Sequence, residues 1–340
     1  MHPFLNVPRR ASTLSVMAVV ALSCASCSSL KRAAINTAAD TLSGSGTTFS
    51  SDDDPEFVKS AIPFSLKTME GLLQETPKHQ GLLLALTSYF TQYGYAFILQ
   101  EADELEEKDL DAANEKRDRA SRMFRRSWNY GIRGLEVKHP GFEKALRANP
   151  KAALKKLTKA DVPQLYWTAA AGGLRIRPDK PETVADQPLI EAMIDRALEL
   201  DESYEKGAIH SFLIKYEMNR QGVKGDAAER SRKHFNRAVE LSKGADAGAY
   251  VAFAEAVSVP KQNAKEFDSL LNKALAIDID SHPEMRLSNT IMQRRARWLR
   301  ARKDELILPE LEPLEDEPSA GAADKAGGKS APANLLLPKP

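Results

Sequence analysis

Cysteine is scarce in this chain: two in 340 residues, Cys24 and Cys27, both close to the N-terminus. Two thiols cannot staple a disulfide framework or form a four-cysteine zinc site. Excess charge of either sign is also missing, with 48 Lys and Arg against 47 Asp and Glu. That balance lacks the basic surplus of nucleic-acid binders and the acidic surplus of many disordered chains. The six histidines, His2, His79, His139, His210, His234 and His282, include no pair spaced i, i+4. HExxH, GxSxG, Walker and GxGxxG motifs do not occur. Clear runs of alternating β-branched residues are absent too. The composition therefore describes a chain that is not an enzyme, with no metal, no cofactor and no nucleic-acid partner. What remains, 42% hydrophobic and 28% charged residues, is ordinary for a folded soluble protein.

The N-terminus reads as a targeting segment. Arg9 and Arg10 precede an uncharged stretch whose apolar part includes Leu14, Val16 to Ala18, Val19, Val20, Ala21 and Leu22. It is too short to span a bilayer stably and fits a secretory signal. Small residues then lead into Ser23-Cys24-Ala25-Ser26-Cys27. This fits a lipoprotein signal over residues 1–23 with acylation at Cys24, or alternatively at Cys27. A cleaved, non-lipidated signal and an uncleaved anchor are the other readings. Each acyl methylene buried in lipid contributes roughly 0.8 kcal/mol, so such an anchor would be firm. The residues after the two cysteines, Ala25 and Ser28, are not the Asp that favours inner-membrane retention. The expectation is attachment to the outer membrane, facing the periplasm.

Residues 24–54 contain Ser43-Gly44-Ser45-Gly46 and few large apolar groups, and read as a lipidated tether. Asp54-Pro55 is a helix-start signal: an N-cap carboxylate before a proline at the first helical position. From Pro55 to about Leu308 the chain reads as helix after helix. Ile62, Leu66, Met69 and Leu73 share one face, as do Ala120, Phe124 and Trp128. Residues 309–340 are dense in Pro, Ala and Gly and read as a disordered tail.

An internal repeat sharpens the fold class. Arg196-Ala-Leu-Glu-Leu-Asp201 recurs as Arg237-Ala-Val-Glu-Leu-Ser242 and Lys273-Ala-Leu-Ala-Ile-Asp278, at intervals of 41 (196 to 237) and 36 (237 to 273) residues. The strings match the second-helix end of a tetratricopeptide unit, a helical hairpin of about 34 residues. Ala197, Ala238 and Ala274 would let neighbouring helices approach, while the flanking Leu, Val or Ile fill the core. The expectation is an all-α fold of stacked helical hairpins, a degenerate tetratricopeptide-like α-solenoid over residues 55–308.

Several segments bear on function. Gln80–Leu99 runs without a charge and carries Tyr89, Phe90, Tyr93, Tyr95 and Phe97. A helix apolar on all sides should be buried, or line a channel or subunit contact. Tyr166 and Trp167 precede a run of small residues ending in Gly172-Gly173, which leaves room beside the helix for tight packing or a ligand cavity. Glu101, Glu104 and Glu107 read as a solvated helix face. Arg117, Arg119, Arg122, Arg125 and Arg126 read as a solvated face or a contact for an acidic partner or lipid headgroup. Arg294, Arg295, Arg297, Arg300 and Arg302 can pair with acidic side chains of neighbouring repeats.

Longer strings carry a resemblance. They include Ser51-Asp-Asp-Asp-Pro-Glu56, Phe90-Thr-Gln-Tyr93, Tyr130-Gly-Ile-Arg-Gly-Leu-Glu136, Tyr166-Trp-Thr-Ala-Ala170, Ala274-Leu-Ala-Ile-Asp278 and Arg294-Arg-Ala-Arg-Trp-Leu299. In order and spacing, from about Leu30 to Leu308, the chain resembles the T components of TRAP transporter systems, TatT. It departs at Gly172-Gly173, where the family pattern has a further bulky aromatic. The resemblance implies a periplasmic lipoprotein with tetratricopeptide-like repeats, typically a homotrimer. It further implies a P-type periplasmic substrate-binding protein as partner and passage of small hydrophobic ligands. On that reading Tyr89, Phe90, Tyr93, Tyr95, Phe97, Tyr166 and Trp167 line a channel or ligand site. The alternative is a generic tetratricopeptide-like envelope scaffold for protein assembly.

Overall fold

A computed structural model describes residues 33–308, apart from Ser45, Pro178 and Gln221. Cys24, Cys27 and the stretch 309–340 lie outside the described residues. Two helices precede the expected start of the domain, α1 (33–43) and α2 (Gly46–Ser50). Thus part of the stretch read as a tether is helical. Ala39 is fully buried and the Phe49 ring meets the Tyr89 ring edge-on at 6.0 Å. Two apolar anchors are too sparse a pattern to announce a packed helix in sequence.

Helix α3 (Pro55–Glu75) starts where the sequence places it. The Asp54 carboxylate accepts the backbone N–H groups of Glu56 and Phe57, and Pro55 occupies the first turn. Its buried stripe is Val58, Ile62, Leu66, Met69 and Leu73. Helix α4 (Gln80–Tyr93) runs through a π-helical segment, Gly94–Leu99, into α5 (Gln100–Leu105). By length and composition this rod could cross a membrane, but it lies packed among α3, α6 (Leu110–Lys138) and α9 (Val162–Arg175). Its hydroxyls have partners inside: Thr91 and Ser127 share a 2.7 Å hydrogen bond, and the Gln164 amide donates to Thr87 at 3.0 Å. Gly131 brings α9 close, since a Cβ there would fall 2.3 Å from the Thr168 hydroxyl.

Short helices α7 (Phe142–Ala148), α8 (Pro150–Lys155) and α10 (Pro181–Val184) punctuate the middle of the chain. The stack continues through α11 (Gln187–Leu200), α12 (Ala208–Asn219), α13 (Ala227–Leu241), α14 (Ala247–Phe253), α15 (Ala264–Leu275) and α16 (Arg286–Ala301). A second π-helical segment, Ala254–Ser258, extends α14. No strand occurs among the described residues. The fold is the expected all-α stack of helical hairpins. Ala197, Ala238 and Ala274, the small residues of the repeat, are fully buried at the helix contacts.

Three apolar clusters follow one another along the stack, centred on Phe90 and Phe124, on Leu165 and Ile190, and on Phe253 and Phe267. The last helix then returns to the first. Ile291 of α16 is buried in the first cluster. Arg294 bridges Glu56 at 2.8 Å and Glu104 at 3.1 Å, Arg295 meets Asp103 at 2.9 Å, and Arg302 pairs with Glu107. Glu101 holds Lys59 and, at 2.6 Å, Lys116. The acidic face of α5, which in sequence looks merely solvated, is therefore a latch between the two ends of the stack. Arg294 and Arg295, its partners on α16, are 190 and 192 residues from Glu104 and Asp103, and local sequence does not show them.

Within the α12–α13 hairpin, His210 and His234 share a hydrogen bond between their Nδ1 atoms at 2.8 Å. One ring must donate and the other accept, so the accepting ring must be neutral and the two cannot both be protonated. Burial, and then the neighbouring His210, push His234 down to about 4. Burial also lowers His210, against the raising effect of Glu202. Arg237, Glu217, Arg220 and Asp195 are the other charges that bear on the pair. A histidine depressed on folding adds stability that is complete above its unfolded value near 6.5 and is lost as pH falls toward 4. Chemical denaturation at stepped pH should show that decline. His234→Gln should flatten it relative to wild type; an unchanged slope would exclude the pair as its source.

Candidate functional site

Helix α12 presents two adjacent stripes. Ser211 and Lys215 form one; Phe212 and Tyr216 form the other, each pair spaced by one helical turn. The aromatic stripe meets α9. Tyr166 contacts Phe212 edge-on at 6.5 Å, Tyr204 at 5.5 Å and Trp167 at 4.9 Å, while Phe212 stacks on Tyr216 at 5.4 Å. Tyr166 is buried, whereas Trp167, Tyr204, Phe212 and Tyr216 remain partly exposed. Burial pushes the Tyr166 and Tyr204 phenols far up, so both stay neutral donors. The Tyr216 hydroxyl is buried with no hydrogen-bond partner.

The polar stripe meets a knot of charge drawn from four other helical segments. Glu255, in the second π-helical segment, holds both Lys215 and, at 2.7 Å, Arg295 of α16. Arg295 reaches on to Asp103 of α5, and its guanidinium lies 4.2 Å from the Trp298 ring centre. Lys215 lies 6.0 Å from the ring of Tyr95, in the first π-helical segment. Ser211 donates to Asp246 at 2.7 Å. Burial works against each charge, yet the Glu255 carboxylate holds Lys215 above its ordinary value. Against the same penalty, Lys215 and Arg295 hold Glu255 below the usual carboxylate range. Burial pushes Asp103 up despite Arg295. Side chains of Glu255 and Arg295 are nearly buried, while that of Lys215 is 38% exposed. The result is an aromatic wall beside a fixed, internally balanced charge array, with the Lys215 side chain partly exposed.

The two π-helical segments make this convergence. Each inserts a residue's worth of rotation into a long helix, a device common where side chains must be re-aimed. Tyr95 and Glu255 come from these segments and approach the same lysine. At Gly94, a Cβ would fall 2.8 Å from Phe124, which shows how closely α6 is packed there.

The seven aromatic residues singled out in sequence separate. Phe90, Tyr93 and Phe97 are buried in the first apolar cluster, where Phe90 stacks on Tyr130 at 6.0 Å. Tyr89 is occupied by Phe49. Phe90, Tyr93 and Phe97 thus pack inside the helical stack, and Tyr89 lies half-buried at its edge. Tyr95 reaches the charge knot, and Tyr166 and Trp167 reach the aromatic wall. The room left by Gly172 and Gly173 is filled from outside α9. A Cβ on Gly172 would meet Trp128 at 2.6 Å, and one on Gly173 would meet Phe212 at 3.0 Å and Tyr216 at 3.2 Å. Aromatic bulk is thus present, supplied by neighbouring helices.

Sequence reading missed Lys215, Glu255 and Arg295 as a set. A signal existed for two: Lys215 sits inside Ser211-Phe-Leu-Ile-Lys-Tyr216 and Glu255 inside Phe253-Ala-Glu-Ala-Val257, each a single charge within an apolar string. Removing one member of a buried ionic set costs about 3 kcal/mol, because its partners keep their desolvation penalty. Glu255→Gln should therefore lower the denaturation midpoint sharply, while Lys215→Met with Glu255→Gln should recover part of the loss. A neutral single variant would remove the knot from the structural account.

Comparison with known proteins follows the same geometry. A family model for the TRAP transporter T-component matches residues 51–307. An uncharacterized protein of Treponema pallidum (strain Nichols) is 31% identical over 269 residues, covering 76% of this chain and 82% of its own length.

Proposed function

The chain belongs to the TRAP transporter T-component family, and on that footing we propose that it is a membrane-anchored oligomeric adaptor for ligand passage. Membership makes it an accessory of a TRAP transport system in the cell envelope, rather than an enzyme. The proposal adds the rest. Cys24, or alternatively Cys27, carries the lipid and holds the chain at the periplasmic face of the outer membrane. The domain assembles as a homotrimer and receives a P-type substrate-binding protein. Small hydrophobic ligands move along the wall formed by Tyr166, Trp167, Tyr204, Phe212 and Tyr216, past Tyr95 and Lys215.

The observation that carries this reading is the partly exposed aromatic wall beside a settled charge array. Aromatic surface left open costs free energy unless something covers it. Most of a ligand pocket is usually apolar, with a few polar groups that fix orientation. Here those groups are the Tyr216 hydroxyl, which has no hydrogen-bond partner, and Lys215, whose side chain is partly exposed.

Native mass spectrometry with a candidate P-type substrate-binding protein tests the assembly and its cargo together. The expected spectrum shows three copies bound to the partner with an apolar small molecule retained. Trp167→Ala with Phe212→Ala should reduce the retained molecule and leave the trimer intact. A monomer at micromolar concentration would refute the assembly. For the anchor, a fatty-acid label should be incorporated by wild type and lost in Cys24→Ser. Label lost only in Cys27→Ser would move the site, and no label in either case would remove the lipid.

A further inference from the structure

The outer surface formed by α3 and α6 takes no part in the site above. Both helices pack on α4, and they run in the same direction. Lys59 and Lys116 meet across Glu101 near their N-terminal ends, Tyr130 donates to Glu70 at 2.8 Å further along, and Arg133 donates to the Pro77 carbonyl oxygen at 2.5 Å near their C-terminal ends. Along α3, Phe57 and Phe64 stand two turns apart, 64% and 77% exposed. Two phenyl rings so open on one helix face are unusual for a surface facing only water.

Along α6, Arg119, Arg122, Arg126 and Arg133 fall at spacings of three, four and seven residues, on one face, with Arg125 beside them. Among the described residues none of these five makes an ion pair. Arg126 covers the Phe90 ring, at 5.7 Å, and its charge bears on Glu70. The contrast with α16 is sharp, where Arg294 and Arg295 are both spent on carboxylates. Acidic neighbours on α3 are already satisfied: Glu56 by Arg294, and Glu70 by Lys67 and Tyr130. Between the helices lies a groove of about 630 Å³ lined by Lys67, Gly71, Tyr130 and Arg133 among others. Gly71 has open space where its Cβ would be, so internal packing does not require it. A glycine inside a helix costs up to about 1 kcal/mol, and here its effect is to open the groove.

We propose that this surface is a docking face for an anionic phospholipid bilayer, with Phe57 and Phe64 entering the interface and the α6 arginines meeting lipid phosphates. Charge complementarity favours it: free guanidiniums beside exposed phenyl rings match the composition of interfacial membrane helices. Chain geometry favours it as well. The N-terminal segment joins the fold at α1, where Asp40 pairs with His79 at 3.1 Å, next to the Pro77 end of this surface. Nine positions separate Cys24 from residue 33, which reach at most about 30 Å. An acylated Cys24 would hold this face near the lipid. The docking face rests on the anchor part of the proposed function, and not on the adaptor or its ligand.

The test uses the full, processed protein reconstituted by detergent removal into two sets of vesicles. One set is phosphatidylcholine alone; the other contains one third phosphatidylglycerol. Flotation first reads the anchor, since a chain without acyl groups does not float with the neutral vesicles. Hydroxyl-radical labelling then reads the face. Oxidation of Phe57 and Phe64 should fall severalfold on the anionic vesicles, while the distant exposed Val223 is unchanged. High salt, or Arg119→Glu with Arg122→Glu and Arg126→Glu, should restore it. Each arginine near an anionic surface changes partitioning roughly fivefold. None of these arginines makes an ion pair, and only Arg126 covers a ring, so the variant should keep a melting curve close to that of wild type. A variant that unfolds is replaced by Gly71→Leu, which fills the groove and favours the helix. Equal labelling on both vesicle sets would overturn the docking face even if the protein floats. So would protection that grows with protein concentration in detergent, which assigns the face to a second copy. Protection by a soluble acidic protein without vesicles would overturn it likewise. A chain that fails to float removes the anchor alone; added to strongly anionic vesicles, it must still protect both phenylalanines.

Discussion

The return of α16 onto the first hairpin is the contact on which the rest depends. Two kinds of interaction meet there, and their sizes differ. Exposed ion pairs such as Arg294–Glu56 contribute at most about 1 kcal/mol each. Burying a side chain the size of Ile291 contributes roughly 1.5–3 kcal/mol. Apolar contact therefore drives closure, and the paired charges of α5 and α16 select its register. A helix slipped by one turn would keep much of the apolar contact but would part Arg295 from both Asp103 and Glu255.

Closure also explains why the charge knot exists. Lys215, Glu255, Arg295 and Asp103 come from α12, the second π-helical segment, α16 and α5. They meet only because the stack turns back on itself. The knot is a poor source of net stability, since desolvation offsets most of its attraction. It is strongly specific, because each member left alone would be a buried charge without a partner. The adjoining aromatic wall gains from this: a fixed electrostatic border on one side and apolar rings on the other.

How much could be read in advance follows from the range of each interaction. The Asp54-Pro55 start, the buried stripe of α3 and the small residues Ala197, Ala238 and Ala274 are local patterns, and all were legible. So was the burial of Gln80–Leu99, since no charged residue interrupts it. Tyr166 and Trp167 were legible as a segment with a special environment. The sequence could not show that Phe90, Tyr93 and Phe97 are core while Tyr95 is not. That division depends on a π-helical turn at Gly94, and no residue pattern announces one. Gly172 and Gly173 looked like a gap because Trp128, Phe212 and Tyr216, which fill it, lie 39 to 44 positions away. The latch of α5 was invisible for the same reason at greater distance. Helices α1 and α2 were missed because their burial rests on so few side chains.

An open solenoid behaves as a spring: its repeats can stretch, twist and fray from either end. Latching the last helix to the first removes that freedom. The interior cannot widen by uncoiling, since any lengthening would first have to part Ile291 from the opening cluster. What motion remains at partly exposed positions such as Trp167 is side-chain rotation. Such rotations are far faster than hinge motions, on picosecond-to-nanosecond rather than microsecond-to-millisecond scales at exposed positions. The latched stack is rigid as a frame and quick at its surface, which is the mechanical character of a bearing rather than a spring.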